Sequence, residues 1–328
     1  MSRRLFPALL TGLLTLTAAL TALPAQAADR ADLINRYVAL GDSYASGEGL
    51  APYEAGTDTD SDRCHRSARQ SYPELLEQGR NPAFNRLNSV ACSGAQTTSL
   101  LARFPTDGEA AQLTALRSTT RTVTLGVGGN DVGFASVLAD CIYSPASAPE
   151  IQLLIPGRPG CQDRRDGVVT ALIDNLAADR GAEASAPRVS LPQVLAEIHR
   201  RAPRARIYVS GVPQLLGATR NSPWGCQVGE LGPFPLAVTE SDTQWIRTKS
   251  AQLNGAIAVS VIKARVAGID AQFVDIASDF EGHNVCDPGT PWLNPVVLDA
   301  AGPSPASFHP TARGQRAYAA AFLRATGR

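Results

Sequence analysis

Short apolar, β-branched runs alternate along the chain with longer segments in which apolar residues recur at helical spacing. Tyr37-Val38-Ala39-Leu40 predicts a buried strand that ends at Gly41. A weaker run over 87–91 predicts a second, and Thr122-Val123-Thr124-Leu125 a third that ends at Gly126. Arg206-Ile207-Tyr208-Val209 predicts a fourth, ending at Ser210-Gly211, and Gln272-Phe273-Val274-Asp275 a fifth. Helical spacing covers 72–78, 109–116, 191–201 and 239–267, and a last helix is predicted over 311–324. Strands that alternate with helices predict the α/β class, with a mostly parallel sheet covered on both faces. Two Pro/Gly-rich stretches, 144–166 and 212–235, interrupt the pattern. Both carry cysteines and the α/β pattern resumes after each, so they read as tethered surface excursions of one domain.

The N-terminus follows a different pattern. Arg3 and Arg4 precede an apolar run from Leu5 to Leu23, and Ala25-Gln26-Ala27 places small residues where a leader peptidase would cut. The expectation is a signal peptide over 1–27, cleaved near Ala27, and a secreted domain over 28–328. No later stretch is apolar enough to span a bilayer, so no integral membrane segment is expected in the mature chain.

Composition narrows the partners. Thirty basic and 30 acidic residues cancel, which gives no reason to expect nucleic acid. Lys249 and Lys263 are the sole lysines. At 44% apolar and 18% charged residues the chain is globular rather than disordered. Cys64, Cys92, Cys141, Cys161, Cys226 and Cys286 make an even number of cysteines behind an export signal, which predicts three disulfides in one of fifteen pairings. There is no C-x-x-C and no H-E-x-x-H, so neither a metal nor another cofactor is expected.

Candidate chemistry sits at the strand ends. The first strand runs into Gly41-Asp42-Ser43, a serine that opens a helix where the crevice of a parallel sheet lies. The helix N-terminus offers N–H groups to a developing negative charge. By itself this could equally be a turn with a capping serine. The second strand leads to Cys92-Ser93-Gly94, where a glycine lets a backbone N–H approach a ligand. The third ends in Gly126-Val127-Gly128-Gly129-Asn130-Asp131, whose asparagine can aim an amide into the same crevice. This is not a dinucleotide fingerprint, because Asp131 occupies the third glycine position. The nucleophile elbow G-x-S-x-G is absent. Of four histidines, His199 lies in a charged helical segment and His283 near Cys286. His309 instead precedes Pro310 and the last helix, in a loop from which its ring can reach the crevice.

Taken in order, Gly41-Asp42-Ser43, Gly94, Gly128-x-Asn130-Asp131 and His309 resemble the four blocks of the SGNH (GDSL-type) hydrolase family. The resemblance spans nearly all of the chain after the leader. Cys64-x-Arg66-Ser67 with Tyr72-Pro73, and Phe280-x-Gly282-His283-x-x-Cys286 before Trp292-Leu293, are similar to its secreted bacterial lipases, esterases and phospholipases. The resemblance implies a flavodoxin-like, three-layer α/β/α sandwich on a five-stranded sheet. It implies a serine ester hydrolase with Ser43 as nucleophile and His309 as base. The oxyanion would be held by the N–H groups of Ser43 and Gly94 and the Asn130 amide. The implied bridges are Cys64–Cys92, Cys141–Cys161 and Cys226–Cys286. The substrate would be a small-molecule or lipid ester, and the enzyme a monomer.

One position departs from the family. Its aspartate three residues before the histidine is Ala306 here, and the nearest acid upstream is Asp299. Some secreted members use a backbone carbonyl to orient the imidazole, and the resemblance assigns that part to Ser307 or Ala306. An acyltransferase using the same serine, and a binding module on a degenerate hydrolase fold, are the rival expectations.

Overall fold

The structure is a computed structural model. It describes residues 36–103, 108–145, 155–179, 189–218, 220–299 and 302–327, with the backbone alone at Asp299. The expected leader and its cleavage position at Ala27 lie outside the described residues, as does 146–154 within the first Pro/Gly-rich stretch.

Strands β1 (Tyr37–Gly41), β2 (Leu87–Ser89), β3 (Thr122–Gly126) and β4 (Arg206–Ser210) form where the apolar runs predict them, each within about two residues. A hairpin, β5 (Cys226–Leu231) and β6 (Phe234–Val238), follows, and then β7 (Ala271–Val274). The main sheet has the order β2-β1-β3-β4-β7, and all of its pairings are parallel. Every residue of β1 and β3 is buried, which requires cover on both faces and explains their unbroken apolar sequence. On one face the helix Tyr72–Gln78 packs on the last helix, Ala312–Ala325. Tyr72 stacks there on Tyr318 and Phe322, with centroids 5.4 and 4.8 Å away. The other face carries Cys161–Ala177, Leu191–Arg201 and the long helix Glu240–Val266.

Three expectations are corrected. Residues 109–116 do not form an α-helix; a single 3-10 turn, Gln112–Ala115, stands there. The stretch 144–166 is not wholly an excursion, because a 17-residue helix starts at Cys161. The stretch 212–235 contains the β5–β6 hairpin, held antiparallel from Cys226↔Val238 to Leu231↔Phe234. In both stretches glycine and proline mark the turns while hiding a regular element beside them.

The strand order reverses between β1 and β3, which opens a crevice beyond their C-terminal ends. Here the two strands come very close. Gly41 faces Gly126 in register and has φ +139°, and a Cβ on it would lie 2.3 Å from the Gly126 carbonyl oxygen. Glycine is required for that approach. Buried Gln112 clamps the same residue, accepting from the Gly41 N–H at 2.8 Å and donating to its carbonyl at 2.8 Å.

The six cysteines pair as Cys64–Cys92, Cys141–Cys161 and Cys226–Cys286, and none is free. Thiol titration of the denatured, unreduced protein is expected to detect no thiol. The Cys141–Cys161 bridge spans 20 residues. Replacing both cysteines by alanine is expected to lower the unfolding free energy in a urea titration by about 3 kcal/mol.

Candidate active site

The end of β1 passes directly into a short helix, Ser43–Ser46, with Asp42 as its N-cap. The Asp42 carboxylate accepts from the Tyr44 N–H at 3.0 Å, which fixes the turn and sets Ser43 at the first helical position. A first-position N–H has no partner within its own helix, so that of Ser43 is available to a ligand.

His309 arrives from the opposite end of the chain, just ahead of the last helix. Its loop is pinned by Asn294, whose side-chain amide donates to the carbonyls of Ala306 and His309 at 3.1 and 3.2 Å. Asn294 also accepts the Phe308 N–H at 3.0 Å through its own carbonyl. Two further bonds join this loop and the last helix to the serine's helix. The Tyr44 hydroxyl donates to the Phe308 carbonyl at 2.8 Å. Gln315, fully buried, donates to the Tyr44 carbonyl at 3.0 Å and accepts from the Tyr72 N–H at 2.7 Å.

These contacts bring His309 Nε2 to 2.7 Å from Ser43 Oγ. The other ring nitrogen, Nδ1, lies 3.1 Å from the Ser307 carbonyl. A carbonyl can only accept, so Nδ1 carries the proton and Nε2 is left to accept from the serine hydroxyl. Of the two carbonyls considered from sequence, Ser307 is the one engaged. That of Ala306 is taken by Asn294 and by the His309 N–H. Among the described side chains no carboxylate hydrogen-bonds His309. Burial lowers the His309 pKa below its ordinary value, against the opposing charge of Glu48 and the backbone acceptors.

Gly94 and Asn130 line the same cleft as Ser43 and His309. Gly94 has φ +82°, which glycine tolerates. The Asn130 amide donates one hydrogen to the Ala95 carbonyl at 3.1 Å and has a second to give. Asn130 is not a helix cap, since Gly133 at φ +73° takes that place before Phe134–Cys141. Asp131 turns away to accept from the Thr97 N–H and hydroxyl at 3.0 and 2.7 Å. His283 stands apart, stacked on Trp292 at 4.0 Å and bonded to the Thr290 carbonyl at 3.0 Å.

The cleft encloses about 400 Å³. Beyond the polar groups its wall is apolar, with Phe134, Leu138, Ile142, Ile155, Val212 and Leu215. One group of acids and a cysteine lies close enough for a metal among the described residues, Asp62, Cys64 and Glu109, but its sulfur is spent in the Cys64–Cys92 bridge.

A serine hydroxyl on an imidazole, amide donors beside it and an apolar wall suit acyl transfer. A profile of the GDSL-like lipase/acylhydrolase family matches residues 39–317. The chain belongs to that family. It is a serine ester hydrolase, as the family description and its relatives' names agree. A lipase of Streptomyces rimosus is 33% identical over 306 residues, covering 92% of this chain and 91% of that one. Lipase 2 of Streptomyces coelicolor is 32% identical over 323 residues, covering 96% and 94%. Among solved structures, the extracellular lipase of S. rimosus superposes with a TM-score of 0.61 at 30% identity, covering 88% of this chain and 98% of that one. A phospholipase A1 of Streptomyces albidoflavus gives 0.64 at 29%, with the same coverage.

Asp42 yields a prediction in this member of the family. Burial, reinforced by the Asp131 charge, pushes its pKa up from 3.8 to about 7. The folded state therefore holds a proton that the unfolded chain releases near pH 4, and stability falls between about pH 4 and 7. Asp42→Asn keeps an acceptor for Tyr44 and removes the titration. Its stability relative to wild type is expected to rise from pH 4 to 7 and level off above. Urea titrations at four pH values measure it, and a difference independent of pH would contradict the assignment.

Proposed function

We propose that the protein is a secreted lipid esterase that works through Ser43 and His309 by way of an acyl-enzyme. The 2.7 Å contact between Ser43 Oγ and His309 Nε2, in the lining of an apolar cleft, carries this reading. His309 takes the serine proton as Oγ attacks the ester carbonyl. The Ser43 and Gly94 N–H groups and the Asn130 amide receive the negative charge on the carbonyl oxygen. His309 then passes its proton to the leaving alcohol. Water repeats the sequence on the acyl-enzyme and restores the serine.

With Ser307 as acceptor, the imidazole is oriented by a carbonyl instead of a carboxylate. Orientation is the larger part of what a triad acid contributes. Burial lowers the pKa of His309, which favours the neutral ring that can accept the serine proton. The apolar wall favours fatty acyl chains over acetyl groups. The disulfides, and the extracellular relative in S. rimosus, support export of the 28–328 domain after cleavage near Ala27. The enzyme is proposed to act as a monomer.

Ser43→Ala and His309→Ala are each expected to lose at least about three orders of magnitude in turnover, since nucleophile and base act as a unit. Asp299→Asn is expected to stay near wild type. A true triad acid changed in this way loses about four orders, and a loss near that size would refute the carbonyl assignment. Across nitrophenyl esters, kcat/KM is expected to rise by up to about fourfold per methylene until the cleft is filled, from about 0.8 kcal/mol for each buried CH₂. Preference for acetyl esters or acetylated sugars would overturn the lipid reading.

A further inference from the structure

Five residues beyond Ser43, Glu48 is 2% exposed, and its carboxylate has no arginine or lysine partner among the described residues. Its N–H donates to the Ser43 carbonyl at 3.1 Å. One carboxylate oxygen accepts from the Ser93 hydroxyl at 2.6 Å and lies 2.7 Å from His65 Nδ1. The Tyr53 hydroxyl stands 3.5 Å from the other. A buried carboxylate held by neutral and imidazole groups is costly, and a fold that keeps one has a use for its charge or its geometry.

The surroundings hold Glu48 firmly. His65 reaches Asp58 with its second nitrogen at 3.3 Å and stacks on Tyr53 at 4.9 Å. Its φ of +46° is a conformation few residues adopt unless the surroundings impose it. The Cys64–Cys92 bridge lies directly before both of the side chains that grip the carboxylate, His65 and Ser93. The Ser93 N–H donates to the Cys64 carbonyl at 3.1 Å, closing the unit. Ser93 lines the cleft beside Gly94, which carries one of the oxyanion donors of the proposed reaction.

We propose that Glu48 is the positioning acid of this centre: through Ser93 it fixes the Gly94 side of the oxyanion hole, and its charge opposes the positive charge His309 acquires in the reaction. The inference rests on the reading of Ser43 and His309 given above. Glu48 touches neither substrate nor His309. It acts through the Ser93 hydroxyl and through its field. That field is felt at His309, where Glu48 opposes the effect of burial while His65 adds to it. Tyr44 also faces His309, with ring centroids 5.2 Å apart, and Asp42 lines the same cleft. With alanine at the family's aspartate position, the chain thus keeps a buried carboxyl group behind Ser93 and Gly94.

Steady-state kinetics of Glu48→Gln and Ser93→Ala across pH, with fluorophosphonate labelling of Ser43, test this. Glu48→Gln is expected to lower kcat about ten- to a hundredfold, less than the loss of a direct oxyanion donor. KM is expected to change less than about threefold, because the contact acts on the transition state. The acid limb of its kcat/KM profile should move about half a pH unit lower, as an imidazole that loses a nearby anion is easier to deprotonate. Ser93→Ala is expected to lose kcat to a similar extent while keeping the wild-type acid limb. Glu48→Gln that melts with wild type, labels at the wild-type rate and keeps the wild-type profile would overturn the inference. Should Glu48→Gln fail to fold, wild-type kcat in Ser93→Ala would overturn it as well. Turnover surviving in Ser43→Ala would instead refute the underlying reading, whatever Glu48 does.

Discussion

One buried glutamine joins the two ends of the sequence. Gln315, on the last helix, bonds the backbone of Tyr44 and Tyr72 at once. Ser43 and His309 are 266 residues apart, and a contact over such a span carries a large loop-closure cost that local structure cannot supply. The sheet sets the first strand next to the third, and the aromatic stack of Tyr72, Tyr318 and Phe322 docks the last helix. Apolar packing is tolerant of small slips, however, and a serine–imidazole hydrogen bond is not. Gln315 and the Tyr44–Phe308 bond convert loose docking into a fixed register.

Much of this was legible in the sequence because it is local. The strand ends were readable from β-branched runs closed by Gly41 and Gly126; the serine, the Gly94 turn and Asn130 follow from their places after strand ends, and His309 from its loop before the last helix. Gln112, Gln315, Asn294 and Glu48 were not readable. Each works by hydrogen bonds to residues outside its own local segment, and a polar side chain looks the same in sequence whether it faces water or a buried carbonyl. The helix Cys161–Ala177 was hidden for a different reason. Gly167 and a run of charged residues blur its apolar face. It is secured from outside instead, by Lys249 on Asp166 and Lys263 on the Ala177 carbonyl. The sole lysines of the chain thus both serve the element that sequence periodicity failed to show.

Ionisable groups divide the centre into two sides. On the imidazole side burial dominates, and His309 faces a neutral carbonyl. On the other side, beyond the serine, Asp42 and Glu48 are both buried, the first with a strongly raised pKa. Asp42 shapes the turn through its bond to Tyr44, whereas Glu48 is gripped by side chains from a disulfide-linked pair of loops. Among the described residues no carboxylate meets the imidazole, and the buried carboxyl groups lie instead on the side of Ser43 and Gly94.

Ribosomes make this chain from the serine toward the histidine. The strand that presents Ser43 is made well before His309 and Gln315, which follow the serine by 266 and 272 residues. On the proposed reading, a nascent chain that has not reached residue 309 carries a hydroxyl with no base to activate it and no clamp to place one. On the reading proposed for Ser43 and His309, the order of translation keeps the molecule chemically silent until the segment that carries the histidine is made.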